Sequence, residues 1–171
     1  MSNVDQRQFH EKSEMNVHSP AEGITDLLTF RLARLVAVNS KAGNQWMKSN
    51  FGISLNDWRV LGLVHQYAPV RIGAISEILL IDKGQLSRVV KKLHQRGFLE
   101  SAAASDDARS TKLSLTKMGH EVHDKTLEFA KQRNNLVVGS LSRSECNQFS
   151  KLIHKLTEHN EELLSLSELK T

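Results

Sequence analysis

The fold is decided by residues 82–100, which read DKGQLSRVVKKLHQRGFLE. Asp82 is a good helix N-cap, and Gln85 follows three residues later, as in a capping box. Leucine and valine then recur at i, i+3, i+4 and i+7, the period of a helix with one buried face. Gly97 is suited to end that helix, because glycine readily adopts the left-handed conformation required there. The stretch predicts an amphipathic helix, followed from Phe98 by a different pattern.

A second, shorter helix is predicted just upstream, over about 72–80, where isoleucine and leucine recur at helical spacing. A turn over about 81–84 joins the two helices, which is the arrangement of a helix-turn-helix. In such motifs the second helix lies in the major groove of DNA, with its N-terminal residues nearest the bases. We therefore name the helix that begins near Asp82 the recognition helix.

The exposed face of the recognition helix is basic, with five basic residues and no acidic residue over 83–97. Arg and Gln can form paired hydrogen bonds with guanine and adenine edges, Ser can contact either base, and Lys neutralises phosphate. An ordinary solvated helix face usually mixes Glu with Lys, so the pattern favours DNA recognition over that alternative. The residues predicted to contact DNA are Lys83, Gln85, Ser87, Arg88, Lys91 and Lys92.

After the recognition helix the pattern changes from helical to extended. Residues 98–101 and 111–115 are short segments suited to strands, and the small and polar residues 102–110 separate them. This predicts a β-hairpin wing with a loose tip, which can place an arginine in the minor groove. An ordinary hairpin tip with a surface ion pair is the alternative. The wing residues predicted to contact DNA are Asp107, Arg109 and Ser110.

The positive charge is concentrated in the middle of the chain. The chain has 23 Lys and Arg against 19 Asp and Glu, a net charge of +4. Residues 71–117 contain nine basic and five acidic residues, and the remaining 14 of each sign cancel. Such a concentration is expected of a surface that neutralises phosphates. Taken alone, the excess of positive charge in this segment is explained equally well by a chance excess on a solvated face.

Capping residues mark three further helix starts. An apolar helical period follows each of three caps: Ser54 with Asp57 at the third position, Thr116, and Ser142 with Glu145 at the third position.

A long helix is also predicted over about 24–47. Long helices with apolar stripes are explained by burial against a partner, although packing within one subunit is the alternative. We predict a homodimer with recognition helices about 34–36 Å apart on a pseudo-palindromic site.

The predicted fold is mainly α with a small β-hairpin wing, a winged helix-turn-helix with N- and C-terminal dimerisation helices. A flexible N-terminal arm over 1–20 precedes one domain over 21–171. In that domain a winged helix-turn-helix over about 54–116 lies between dimerisation helices over about 22–50 and 117–167.

Several function classes are excluded. No apolar run is long enough for a membrane span, and the N-terminus lacks the apolar core of a secretory signal. The single cysteine, Cys146, agrees with a reducing compartment, so we predict a cytoplasmic protein with an inert thiol rather than a redox sensor. The eight histidines lack metal-binding spacing, and surface positions are predicted for His120, His123, His154 and His159. No nucleophile elbow or phosphate-binding loop is present, so no metal, cofactor or enzymatic activity is predicted.

The motifs resemble those of the MarR (multiple antibiotic resistance regulator) family. The specific parts are the recognition helix, the Asp-x-Arg of 107–109 and the Leu-Thr-x-x-Gly of 115–119. The resemblance implies a homodimeric DNA-binding regulator, commonly a repressor, released by a small aromatic or phenolic effector. It assigns Gln85, Ser87 and Arg88 to base recognition and Asp107 with Arg109 to the wing pair. The chain departs from the family in its first wing strand, which lacks basic residues, and in Ala108, where Arg is frequent.

Four aromatic residues lie where the dimerisation and DNA-binding parts should meet. Trp46, Phe51, Trp58 and Tyr67 are predicted by position to line an effector cavity, and an ordinary core is the alternative. The sequence thus predicts a sequence-specific, ligand-responsive regulator of transcription that binds double-stranded DNA. The rival hypothesis is a winged-helix module that binds protein and not DNA.

Overall fold

The computed structural model of the chain describes residues 21–104 and 107–168. The predicted N-terminal arm, residues 1–20, lies outside these ranges. The described residues form six α-helices and a three-stranded sheet, which confirms the mainly α fold with a small wing. The helices are α1 (Leu28–Phe51), α2 (Leu55–Tyr67), α3 (Ile72–Leu79), α4 (Lys83–Gln95), α5 (Lys117–Val137) and α6 (Arg143–Glu168), and the strands are β1 (Val70–Arg71), β2 (Leu99–Ala104) and β3 (Asp107–Leu115).

The chain divides into two compact units between His120 and Glu121, within α5. The first unit contains α1 to α4 and the sheet, and it holds an apolar core to which each of these helices contributes. Burial of a leucine, isoleucine or valine side chain contributes about 1.5–3 kcal/mol, so this core fixes where each helix lies. The fully buried core side chains are Ile53, Val60, Leu61, Val64, Ile75, Leu86, Leu93 and Leu113.

The N-terminal helix begins later than the apolar period predicts. Ile24–Asp26 form a single 3-10 turn, and Leu27 is extended, with φ −76° and ψ 126°. The Asp26 carboxylate accepts the backbone N–H groups of Glu22 and Gly23, both at 3.2 Å. The extended backbone of Leu27 separates this turn from α1, so a continuous helix from residue 24 was the wrong prediction.

Helix α2 begins as predicted. The Ser54 hydroxyl accepts the backbone N–H of Asp57 at 3.0 Å, and the Asp57 carboxylate accepts the Ser54 N–H at 2.7 Å. This capping box satisfies two of the N–H groups that a helix start leaves without partners. The helix ends at Tyr67, two residues before Pro69.

The wing contains more strand than predicted. β2 continues to Ala104 and β3 starts at Asp107, so the residues predicted as a loose tip mostly extend the hairpin. The strand order is β1–β3–β2, all antiparallel. β1 was not predicted, because two residues are too few to show an alternating pattern, and Val70 finds its partner Leu113 far along the chain.

The predicted starts of the last two helices are confirmed. The Thr116 hydroxyl accepts the Gly119 N–H at 3.0 Å at the start of α5. At the start of α6 the Glu145 carboxylate accepts the Ser142 N–H at 2.7 Å, and the Ser142 hydroxyl accepts the Glu145 N–H at 3.3 Å. Hydrogen bonding to the Glu145 carboxylate, first by the Ser142 side chain and then by the Ser142 backbone, lowers the pKa of this carboxyl.

Candidate nucleic-acid interface

The recognition helix is α4, and its buried and exposed faces are those predicted. Leu86, Val90 and Leu93 are buried. Gln85 is half-buried, whereas the side chains on the opposite face are exposed; these are Lys83, Ser87, Arg88, Lys91 and Lys92. The apolar residues hold the helix on the core, and their spacing turns the polar face outward.

Lys83, Arg88 and Lys91 on α4 have exposed side chains. Within the described ranges, Lys83, Arg88 and Lys91 form no ion pair and no side-chain hydrogen bond. Such groups remain available for phosphate oxygens or for guanine. α4 therefore presents a surface of positive charge that none of the described side chains neutralises.

The turn before α4 fixes where the helix begins. Leu80 has a left-handed backbone, with φ 50°, and the Ser76 hydroxyl donates to the Ile81 carbonyl at 2.7 Å. The Asp82 carboxylate accepts the Gln85 N–H at 2.7 Å, which confirms the predicted N-cap. A Cβ at Gly84 would lie 3.0 Å from Asp82 Oδ1, so a larger residue there would crowd the cap.

The C-terminal part of α4 is bound to the protein. The Lys92 ammonium pairs with the Asp57 carboxylate, and Arg96 donates to the Gly52 carbonyl at 2.8 Å. The Arg96 guanidinium also lies over the Phe98 ring, 4.7 Å from its centroid. The predicted role of Lys92 as a phosphate contact does not match this geometry, because its charge is directed to a buried carboxylate.

The Leu-Thr-x-x-Gly motif ties the end of α4 to the start of α5. Gly97 has φ 70° and its N–H donates to the His94 carbonyl at 2.8 Å, which confirms it as the residue that ends the helix. The Thr116 hydroxyl donates to the Gly97 carbonyl at 2.6 Å. A Cβ at Gly119 would lie 2.0 Å from the Phe98 carbonyl oxygen, so only glycine fits at this close approach.

The wing residues Asp107, Arg109 and Ser110 belong to β3 by their backbone. Their side chains lie outside the part of the chain that the structure describes, so the predicted Asp107–Arg109 pair stays a prediction.

The four aromatic residues predicted to line an effector cavity are only partly brought together. Trp46 and Phe51 meet edge to face, with ring centroids 5.8 Å apart. The indole N–H of Trp58 is buried and has no hydrogen-bond partner among the described residues. Tyr67 is 49% exposed and lies about 13 Å along α2 from Trp58, at 1.5 Å per residue, so it does not join Trp58 in one site.

The histidines occupy different environments. His123 is only 4% exposed, so the prediction of a surface position was wrong for this residue. His120, His154 and His159 are exposed as predicted. The α6 histidines lie beside glutamates one turn later, His154 at 3.3 Å from Glu158. No helix in the described ranges combines the length and apolar character that a membrane crossing needs.

Sequence reasoning missed the polar contacts that hold α4 to α1 and α2. Asp57 was predicted only as a helix-capping residue, and its partner Lys92 lies 35 residues later. On α1, Asn44 accepts the backbone N–H of Leu55 at 3.1 Å, and this contact was not predicted either. No local pattern signals these pairs, because each one depends on how the helices pack.

Comparison with known proteins agrees with this geometry. The family model described as MarR family matches residues 51–110, which include the whole recognition helix. The transcriptional regulator YkoM of Bacillus subtilis is 30% identical over 113 residues, covering 66% of this chain and 73% of YkoM. The DNA-binding transcriptional repressor ScoC of the same organism is 28% identical, covering 74% of this chain and 65% of ScoC. The chain spans about half the length of Hpr regulators that it also matches, such as 52% of that of Geobacillus thermodenitrificans.

A solved structure shows the same fold. The MarR/EmrR family regulator of Acinetobacter sp. ADP1 superposes with a TM-score of 0.73 at 27% identity, covering 78% of this chain and 94% of that one. The proteins named here are transcriptional regulators. The resemblance seen in the motifs is confirmed, and the chain belongs to the MarR family of transcriptional regulators.

Proposed function

We propose that this chain is a transcriptional repressor that binds a pseudo-palindromic operator in double-stranded DNA as a homodimer. The observation that carries the proposal is the N-terminal part of α4. It exposes Lys83, Arg88 and Lys91, and none of them pairs with a carboxylate in the described ranges. A face of this kind, on the second helix of a helix-turn-helix, fits the major groove. The similarity to the repressor ScoC supports the direction of regulation.

Each polar residue predicted to contact DNA, except Lys92, has a proposed task on the duplex. Gln85, Ser87 and Arg88 contact base edges, because they lie in the first two turns of the recognition helix and have the matching donors and acceptors. Lys83 and Lys91 neutralise phosphates. Arg109 enters the minor groove from the wing with Asp107 and Ser110 beside it, and this assignment rests on the family motif alone.

Exposed apolar side chains support the homodimer. On α1, Leu35, Val36 and Val38 are each more than half exposed, and on α6 so are Leu152 and Leu166. Long helices that leave such side chains in water are stabilised when a second copy covers them. A two-fold dimer would place its recognition helices about 34–36 Å apart, one turn of the duplex.

A small aromatic or phenolic effector is the proposed signal. Trp58 supports this idea, because a buried indole N–H without a partner is costly and a polar group on an effector would satisfy it. Trp46 and Phe51, at the end of α1, offer an aromatic pair. The effector must bind the DNA-competent and DNA-incompetent forms with different affinity to act as a signal. We place the protein in the cytoplasm, with its DNA.

A salt titration tests the proposed function. Binding of the full chain to a random-sequence duplex is measured by fluorescence anisotropy between 50 and 300 mM salt. The logarithm of the binding constant should fall steeply with the logarithm of salt, and Lys91→Gln should reduce that slope by about 0.9. A module that binds protein instead of DNA would show no affinity for the duplex. Sedimentation of the free protein tests the homodimer independently.

A further inference from the structure

The Lys92–Asp57 pair differs from an ordinary surface ion pair. The Asp57 side chain is 2% exposed, whereas that of Lys92 is 47% exposed. A buried carboxylate that loses its cation leaves an uncompensated charge inside the protein, whereas the partly exposed ammonium could equally be solvated. Loss of the contact would therefore cost more free energy at Asp57 than at Lys92. The ion pair with the buried carboxylate holds the Lys92 side chain in place.

Asp57 already has a task at the start of α2. The oxygen that pairs with Lys92, Oδ2, also accepts the Ser54 N–H in the capping box. The next N–H, that of Leu55, is donated to the Asn44 side chain on α1 at 3.1 Å. A continuous set of polar contacts thus runs from α1 through the first turn of α2 to α4.

A second cation on the same face of α4 reaches the same corner. Arg96 follows Lys92 by four residues, one helical turn, and donates to the carbonyl of Gly52, the residue that ends α1. We name residues 52–57, which connect the end of α1 to the capped start of α2, the α1–α2 corner. Lys92 and Arg96, at the C-terminal end of α4, therefore both bind the α1–α2 corner, whereas Lys91 has no partner within the described ranges.

We propose that Lys92 is a positioning residue for DNA recognition: with Asp57 it holds the recognition helix on the α1–α2 corner and sets the direction of its base-contacting end. This proposal rests on the proposed DNA-binding function. Lys83 and Lys92 are separated by about 13 Å of helix, at 1.5 Å per residue. A tilt of about 5° at Lys92 would displace the start of the helix by roughly 1 Å, whereas base contacts require about 0.5 Å precision.

The competing assignment is that Lys92 neutralises a phosphate, as its residue type alone suggests. Lys91 and Lys92 form a matched pair for this question, because they are neighbours of the same chemistry with different surroundings. Removal of a phosphate contact lowers the salt slope and weakens binding to all sequences alike. Loss of a positioning contact instead weakens binding to the operator while the salt slope is unchanged.

The experiment measures Lys91→Gln, Lys92→Gln and Lys92→Arg on two duplexes, one of random sequence and one selected by the wild-type protein from random DNA. Lys91→Gln should lower the salt slope on both duplexes by about 0.9. Lys92→Gln should leave both slopes unchanged and weaken operator binding about tenfold, within the usual range of coupling in one charge network. Binding of Lys92→Gln to the random duplex should stay within about twofold of wild type. Lys92→Arg, which can still pair with Asp57, should restore operator affinity.

Asp57→Asn provides the partner test, since the amide oxygen can still cap α2. Asp57→Asn and Lys92→Gln should each lose operator affinity by a similar factor, and the double variant should lose no more than one of them. A fall of the slope by about 0.9 in Lys92→Gln, or operator affinity equal to wild type, overturns the proposal. Additive losses in the double variant also overturn it. The Lys92 variants decide the matter if Asp57→Asn does not fold, and a wild-type protein that ignores duplex DNA refutes the proposed function instead.

Discussion

The two ends of the recognition helix carry similar cations in different surroundings. At the N-terminal end, Lys83 and Arg88 form no ion pair within the described ranges. At the C-terminal end, Lys92 pairs with a buried carboxylate and Arg96 donates to the backbone of another helix. The N-terminal end, which points outward, is suited to binding a negatively charged ligand. The C-terminal end, which is bound to the protein, is suited to fixing the position of the helix. The difference teaches that a basic residue on a DNA-binding helix is not by itself evidence of a DNA contact.

The largest expected effect comes from breaking the attachment at the bound end. Gly119→Ala would place a Cβ 2.0 Å from the Phe98 carbonyl oxygen, a backbone atom that cannot move aside cheaply. We expect a loss of about 3 kcal/mol in the free energy of unfolding, at the upper end of the usual cost of overpacking. Urea denaturation measures it.

Gly62→Ala is the matched control, since a Cβ at that position of α2 meets no atom within 4 Å. It should stabilise the chain by about 0.5–1 kcal/mol, because alanine favours helix over glycine. Equal stability of the two variants would contradict the close approach at Gly119.

The next largest effect is expected at the outward, N-terminal end of the recognition helix. Arg88→Ala should weaken operator binding by about 1–3 kcal/mol and relax the preference for the base pair that Arg88 contacts. Its unfolding free energy should stay within about 0.5 kcal/mol of wild type, because the side chain is exposed. Competition between the operator and single-base variants of it measures the preference. An equal loss on operator and random duplexes would refute the base-contacting role.

Arg96→Ala addresses the bound end without changing the core. It removes a charged hydrogen bond to Gly52 and the contact with the Phe98 ring, so we expect about 1–2 kcal/mol loss of unfolding free energy. Gln95→Ala, its exposed neighbour, should change the unfolding free energy by less than about 0.5 kcal/mol. A variant as stable as wild type but with a lower salt slope would place Arg96 on the DNA instead.

The smallest effect compares two capping boxes, the buried one at Ser54 and Asp57 and the exposed one at Ser142 and Glu145. The pKa of Glu145 is lowered in the folded state from its ordinary value of 4.5 by hydrogen bonds from Ser142. Its contribution to stability is therefore present above pH 4.5 and is lost as the pH falls through the lower folded value. Glu145→Gln should lose slightly less stability than wild type between pH 6 and pH 3 in urea denaturation. A steeper loss in the variant would contradict this sign.

The local elements could be predicted because each has a local cause. The caps at Ser54, Asp82, Thr116 and Ser142 depend on residues within one turn, and they were predicted correctly. One local element was predicted wrongly, because the extended backbone of Leu27 separates the turn over 24–26 from α1, which then begins at Leu28. The strand β1 has only two residues, too few to show a pattern, and it pairs with residues of β3 far along the chain, Val70 with Leu113 and Arg71 with Lys112.

The fold class, the outward face of the recognition helix and the glycine that ends it could be predicted, because they follow from side-chain period and backbone preference within a few residues. Which cations remain outward depends instead on how the helices pack. Lys91 and Lys92 are identical in type and adjacent in the chain, yet one is exposed without a partner in the described ranges and the other pairs with Asp57. A buried carboxylate is stabilised by an ion pair with a nearby cation. The packing of the core sets which lysine lies close enough to Asp57 to form that pair.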